Sequence, residues 1–307
     1  MKKNVSATTG VGTLAVVNGR LVPRSEAFFS ASDLGVLRGY SVFDYTRSYG
    51  MVPFMLREHA ARLRSSAKRI GIVCPYSVTE LVAMATNLIQ KEGASDRGIR
   101  MILSGGDAQG LSPAPNSQPR LVIVTEPITP NNPSWREEGG YLMAQSIRRD
   151  IPAAKTTGYV HAVRLDRERK RQKACDILYI VDGAVRECSI ANFFIIKKGR
   201  VITATTDILP GITRTVVLRL ARKLFGAKNV IERDVFAEEL AVADEAFVTA
   251  TNKEVVPIVR VGAQTIGIGL PGEMTLRLRD AYENFVRTYI ARYERGNQGK
   301  KAGVRRL

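Results

Sequence analysis

The chain has 307 residues, 45% hydrophobic and 24% charged, with 46 Lys and Arg against 29 Asp and Glu, for a formal net charge of +17. This is the composition of a globular protein with room for two domains. No apolar run approaches the ~20 residues that span a bilayer, and the N-terminal MKKNVSATTG lacks the apolar stretch of a secretory signal, so it reads as a loose tail.

Three scattered cysteines, Cys74, Cys175 and Cys188, argue against a disulfide framework and for a reducing, cytoplasmic setting. With only His59 and His161 beside them, no metal site is expected. Much of the positive excess lies in RLDRERKRQK (164–173) and RGNQGKKAGVRRL (295–307), without a zinc finger or an aromatic-interleaved basic strand. A field that draws in small anions is the preferred reading, and nucleic-acid binding remains a remote alternative.

LAVVNGRLVPR (14–24) alternates around Asn18-Gly19, a pair that accepts positive φ, and predicts a β-hairpin. Tyr40 to Tyr49 reads as a strand ending at Gly50. EHAARLRSSAKRIGI (58–72) places Leu63, Ala67 and Ile70 on one helical face, with Arg62 beside them. Ser77 and Glu80 form a capping box for the next helix. GIRMILSGG and RLVIVTEPI are two further strands. The order predicts a small α+β domain over residues 1–128, closed by a Pro- and Asn-rich linker at 129–140 in which Trp135 pins the chain to a surface.

The second domain, 141–307, opens with a strand near Tyr141–Ile147 and a helix from about Gly158 to Lys173. Asp182-Gly183 and Lys198-Gly199 mark hairpin turns. Ile212 to Phe225 predicts an amphipathic helix with Val216, Leu220 and Leu224 aligned. Short strands at NVIERDV and EAFVTAT flank a helical FAEELAVAD, VVPIVRVGAQTIG is a last hairpin, and a long helix follows Pro271.

Three features carry chemistry. Lys155 sits in AAKTTGYV, a mostly uncharged neighbourhood where desolvation would lower its pKa and make it nucleophilic; a snorkelling surface lysine is the plainer alternative. Glu187 shares a strand face with Val185, so it needs a cationic or protonated partner, either a pyridinium nitrogen or a local arginine such as Arg186. In LPGITR, Gly211 precedes a helix whose N–H groups at Ile212 and Thr213 could bind an anion. TATN (249–252) is a second hydroxyl-rich turn.

Together DLGVLRGYSVFDYTR, EHAARLRSSAKRIGI, KTTGYV, VRECSIANFF, ILPGITR and ADEAFVTATNKEVVPI resemble the class IV aminotransferases, pyridoxal-phosphate enzymes of fold type IV, from about residue 14 to 290. That resemblance implies a small α+β domain and a larger β-barrel-like α/β domain, with pyridoxal 5′-phosphate between them in a homodimer. It implies that Lys155 forms the internal aldimine and acts as general base. Glu187 would bond the ring nitrogen, Tyr159 the phenolic oxygen, and Arg62, Ile212, Thr213 and Thr251 the phosphate. Leu209 would pack on the ring, and Asn192 would close the turn after Glu187.

Arg38 and Arg100 bear on substrate, because two guanidinium groups suit carboxylates. Residues 106–120 lack an R-x-H carboxylate trap, and Tyr45 narrows a branched-chain pocket. The pattern is similar to a less common D-amino-acid aminotransferase subgroup. It implies transfer between a D-amino acid and a 2-oxo acid such as 2-oxoglutarate, with Arg38, Arg100, Thr251 and Asn252 at the substrate. A branched-chain L-amino-acid aminotransferase is the nearest alternative and an aminodeoxychorismate lyase the third.

Overall fold

The structure is a computed structural model describing residues 11–93 and 96–304, with side chains to residue 296. The N-terminal MKKNVSATTG and the last three residues of the basic tail lie outside the described residues. The chain forms two compact units. The first holds residues 1–129, 154–158 and 289–307; the second holds 130–153 and 159–288.

In the first unit the strands are β1 (Leu14–Val17), β2 (Arg20–Pro23), β3 (Ser41–Tyr49), β4 (Val52–Pro53), β5 (Gly98–Ser104) and β6 (Arg120–Glu126). They make one antiparallel sheet in the order β2-β1-β6-β5-β3-β4. The expected hairpin turns on Asn18 and Gly19, both at positive φ. A one-turn helix, α1 (Leu34–Arg38), is capped by Asp33 and ended by left-handed Gly39.

Two longer helices, α2 (Leu56–Arg69) and α3 (Val78–Glu92), cover one sheet face. The capping box of Ser77 and Glu80 is present. Leu63 and Ala67 of α2 and Leu81, Ala85 and Leu88 of α3 pack with Ile99, Met101, Leu103 and Ile123 of the sheet. Strand alternation therefore sends Val42, Asp44 and Thr46 of β3 toward the helices, and Phe43 and Tyr45 to the opposite face with Arg100.

The second unit begins with α4 (Pro133–Glu137), a short helix inside the predicted linker, capped by Asn132 with Pro133 at its first turn. Its Trp135 packs against the unit's main core. The strands are β7 (Gly140–Gln145), β8 (Asp176–Val181), β9 (Ala184–Cys188), β10 (Asn192–Lys197), β11 (Arg200–Thr203), β12 (Val230–Glu232), β13 (Val235–Phe236), β14 (Glu245–Ala250), β15 (Glu254–Val261) and β16 (Gln264–Thr265).

They form a ten-stranded sheet in which β10, β14, β15, β7, β8 and β9 run in order around a ring. One pairing, Asn192 with Glu187, joins β10 back to β9 and closes the barrel. Leu142, Leu178, Val185, Phe193, Val248 and Val256, one from each ring strand, fill its core. The hairpin turns at Asp182-Gly183 and Lys198-Gly199 have positive φ at all four residues.

Helix α5 (Val160–Arg171) buries no residue fully. Helix α6 (Ile212–Phe225) occupies its predicted span, but its buried side is Thr213, Val217 and Ala221 with Arg214, Val216 and Leu218, while Leu224 is exposed. Burial runs from Thr213 to Ala221 and leaves the last turn, with Leu224, more exposed. The final helix, α7 (Glu273–Val304), continues into the basic segment that begins at residue 295.

Candidate active site

In the first unit the Lys155 segment lies along the start of β3. Phe43 N–H donates to the Lys155 carbonyl (2.9 Å), Thr157 N–H to the Ser41 carbonyl (3.2 Å), and Val42 and Thr156 form an antiparallel bridge. From α2, Ser66 Oγ accepts the Lys155 N–H at 3.1 Å. Lys155 Nζ stands 4.6 Å from the centre of the Phe43 ring, and the side chain is half-buried.

Next to Phe43, on the helix side of β3, the Asp44 carboxylate is fully buried. A lone buried carboxylate is expensive, and α2 supplies its partners one turn apart. His59 Nδ1 lies 2.7 Å from Oδ1, while Arg62 donates from Nε to Oδ2 (2.8 Å) and from Nη2 to Oδ1 (2.9 Å). Burial opposes the Asp44 charge, but Arg62 and His59 outweigh it and hold the carboxyl well below the usual range. Burial lowers the pKa of His59 against the pull of Asp44. Its Nε2 is buried with no hydrogen-bond partner among the described residues. Residues 59, 62 and 66 thus form one face of α2, turned to Asp44 and Lys155.

Arg100 is on the other face of the sheet. Its guanidinium carbon is 5.5 Å from the Phe43 ring centre and 5.3 Å from that of Tyr45. Glu126 takes its Nε at 3.1 Å and Nη2 at 2.6 Å, leaving Nη1 without an acceptor among the described residues. Arg38 has separate surroundings: it is exposed at the end of α1, donating to the Leu37 carbonyl at 3.1 Å.

In the second unit Glu187 is the focus. It is 4% exposed, and its expected local partner is replaced by a distant one. Arg149 Nη1 donates to Oε1 at 2.6 Å, and Oε2 accepts from Leu209 N–H (3.0 Å) and Asn192 Nδ2 (3.2 Å). Arg186, one residue away, binds Thr206 and Asp234 instead. Asn192 also donates to the Leu209 carbonyl at 2.9 Å, so it ties the Leu209 loop to the barrel's closing pair. Leu209 thereby contributes its backbone to Glu187.

Across the ladder Glu187, Asn192 and Thr249 form a row on β9, β10 and β14. Thr251 and Asn252 are half-buried in the turn that follows. Gly211 precedes α6 and offers no capping side chain to the N–H groups of Ile212 and Thr213. Tyr159 is half-buried at the start of α5.

The family model for class IV amino-transferases matches residues 41–261. This chain is a class IV aminotransferase. A D-alanine aminotransferase of Bacillus licheniformis is 32% identical over 286 residues, covering 90% of this chain and 98% of the relative. A putative branched-chain-amino-acid aminotransferase of Methanocaldococcus jannaschii is 32% identical over 278 residues, covering 87% and 94%. Among solved structures, a branched-chain amino acid aminotransferase from Thermobaculum terrenum in its PLP-bound holo form matches with a TM-score of 0.81 at 26% identity, covering 92% of this chain and 96% of that one.

The cofactor of this class IV aminotransferase is pyridoxal 5′-phosphate, and its residues fit that group. A buried carboxylate with a polar row suits a protonated ring nitrogen. An uncapped N-terminus on a long helix suits a phosphate. A Cβ at Gly211 would meet Asn192 Oδ1 at 2.0 Å, so only glycine lets backbone and amide come this close there. The Thr249 hydroxyl in the same row is buried with no partner among the described residues.

The sequence reading overlooked Phe43, Asp44, His59, Ser66 and Arg149. The i, i+3, i+7 spacing of His59, Arg62 and Ser66, and the inward phase of Asp44 on a strand, were the available signals for three of them. Nothing local marked Arg149.

Proposed function

We propose that this aminotransferase moves an amino group between a D-amino acid and a 2-oxo acid such as 2-oxoglutarate, with Lys155 as its catalytic residue. Bound pyridoxal phosphate supplies an aldehyde for the amino group and a ring that spreads the electron pair left when the substrate Cα loses its proton. Lys155 Nζ holds the aldehyde in the resting enzyme and carries the Cα proton during turnover. Glu187 keeps a proton on the ring nitrogen, with Arg149, Asn192 and the Leu209 N–H fixing its carboxylate. Tyr159 is assigned to the phenolic oxygen. Arg62, oriented by Asp44, and the Ile212, Thr213 and Thr251 groups are assigned to the phosphate, with a homodimer as the working assembly.

One observation carries the substrate reading. The Phe43 ring has Lys155 Nζ 4.6 Å from its centre and the Arg100 guanidinium carbon 5.5 Å from it, so the reactive amine and a carboxylate-binding cation border the same aromatic ring. The fork of Arg100 is held by Glu126 with Nη1 left to donate. Tyr45 fills the space over Gly98, where a Cβ would lie 2.3 Å from its hydroxyl, and so limits a branched aliphatic pocket. Arg38, Thr251 and Asn252 are proposed to complete the substrate contacts. The second reading, a branched-chain L-amino-acid aminotransferase, draws support from Glu126, whose charge offsets that of Arg100.

Borohydride should trap a phosphopyridoxyl adduct on Lys155, and Lys155→Ala should abolish turnover. Half-reactions with D-alanine, D-glutamate and L-leucine, followed by cofactor absorbance, separate the two substrate readings. Conversion of L-leucine with both D-amino acids inert would overturn the D-amino-acid assignment.

A further inference from the structure

Beneath the Thr251–Asn252 turn, Lys253 is buried with its side chain only 4% exposed, and its partner Asp176 is 1% exposed. Lys253 Nζ donates to Asp176 Oδ2 at 2.6 Å and to the Cys175 carbonyl at 2.9 Å. The other carboxylate oxygen, Oδ1, accepts from Ser189 Oγ at 2.5 Å and from the Ile177 N–H at 2.8 Å. Ser189 stands two residues past Glu187, and its own N–H donates to the Ile177 carbonyl at 2.9 Å. Asn131 Nδ2 holds the other turn from above, donating to the carbonyls of Asn252 (3.2 Å) and Lys253 (3.3 Å). One carboxylate at the start of β8 therefore fastens the turn after Glu187 with one oxygen and the turn after Thr251 with the other.

Burial opposes the charge on Lys253, and Asp176 more than restores it. The neighbouring Cys175 thiol is pushed up to about 11 by burial, so Asp176, not a thiolate, is the balancing anion. A buried ion pair is a weak source of net stability, because well-packed apolar residues of similar volume often serve as well or better. What apolar residues do not provide is direction. Here the 175–177 segment is bonded to two others, through Ser189 and through Lys253, and each of these adjoins a turn that carries site residues.

We infer that Lys253 and Asp176, with Ser189, are positioning residues that set the spacing between Glu187 and the Thr251–Asn252 turn, and so between the anchors for the two ends of the cofactor. This rests on the assignment of Glu187 and Thr251 to pyridoxal phosphate in the preceding section.

The test is titration of apoenzyme with pyridoxal 5′-phosphate, with thermal melts run in parallel. Ser189→Ala removes a single link and leaves the ion pair in place; the cofactor dissociation constant should rise about three- to tenfold, with the melting temperature lowered by only a few degrees. Lys253→Met with Asp176→Leu replaces the pair by apolar side chains. It should melt close to the parent and bind the cofactor at least tenfold more weakly, whereas Lys253→Arg, which keeps charge and donors, should recover part of the loss. A purely structural role would move the melts and leave the dissociation constants of the folded variants alone. Ser189→Ala and the double variant both binding within twofold of the parent would overturn the inference. If the double variant does not fold, Ser189→Ala decides alone by the same limit. A parent enzyme that carries no phosphopyridoxyl label on Lys155 would instead overturn the functional assignment beneath it.

Discussion

Replacing Glu187 by Gln keeps shape and removes charge, and the geometry says what each loss should cost. The carboxylate accepts from Arg149 on one oxygen and from Asn192 and Leu209 on the other. A glutamine offers one acceptor oxygen. Turned to satisfy Asn192 and Leu209, it presents its NH₂ to Arg149, and turned the other way it faces two donors. The first orientation costs less, because the Arg149 side chain is 17% exposed and can reach water. One unmatched donor there costs roughly 1–2 kcal/mol of folding stability. If the carboxylate also holds a proton on the ring nitrogen, the rate should fall on the order of 10²-fold, worth ~3 kcal/mol at the transition state.

Arg149→Met provides the control. It leaves a buried carboxylate without its cation, so its stability loss should be as large or larger, ~3 kcal/mol. The charge facing the ring nitrogen survives, so its rate should fall less. Urea unfolding of both variants, with single-turnover rates at saturating cofactor, separates the effects. Glu187→Gln within threefold of the parent rate, or Arg149→Met falling as far, would refute the ring-nitrogen role.

Arg100→Ala and Arg38→Ala should each lower kcat/KM for D-amino acids and 2-oxoglutarate by about 10- to 150-fold while cofactor stays bound; for a branched-chain enzyme Arg38→Ala would leave L-leucine turnover intact, and for an interface residue it would shift the sizing profile and every substrate alike. Asp44→Asn strips Arg62 and His59 of their buried anion and should cost about 3 kcal/mol in urea unfolding; a loss below ~1 kcal/mol would show that the cluster is not coupled. Acid should destabilise the fold with a sign set by both groups. His59 and Asp44 have lowered folded pKa values, so the unfolded chain takes up the proton first. The His59 contribution is complete above about pH 6.5 and is lost as pH falls through its folded value, and Asp44 adds the same sign below about pH 4. The unfolding free energy between pH 8 and 4.5 should fall toward acid by up to ~1.4 kcal/mol per pH unit for each proton, less steeply in His59→Gln. Finally, binding to duplex or single-stranded DNA at ~150 mM salt should be weak despite the net charge of +17; a sub-micromolar dissociation constant would require a nucleic-acid partner.

By itself the sequence determined what local rules govern. Asn-Gly and Asp-Gly pairs set hairpin turns because those residues accept positive φ, and Ser77 and Glu80 set a helix start. The same short-range patterns carried the family, since the LPGITR and ECSIANFF stretches keep their spacing within single turns and strands. Strict period two put Glu187 on the face of Val185, but Val185 and Cys188 both enter the barrel core and the register shifts between them, so the burial of Glu187 did not follow from alternation.

Which group meets Glu187 did not follow. Arg186 is taken by Thr206 and Asp234, and the cation that reaches Glu187 is Arg149, 38 residues earlier. Only the closed barrel decides that, as it decides that Lys253 reaches Asp176 across 77 residues. Likewise, that α2 brings His59, Arg62 and Ser66 onto β3 and the Lys155 segment depends on packing two elements, not on either alone. A strand or helix period says which side of an element needs a partner. The partner itself is chosen where distant segments must bury their charges together, and that choice is made in the tertiary structure.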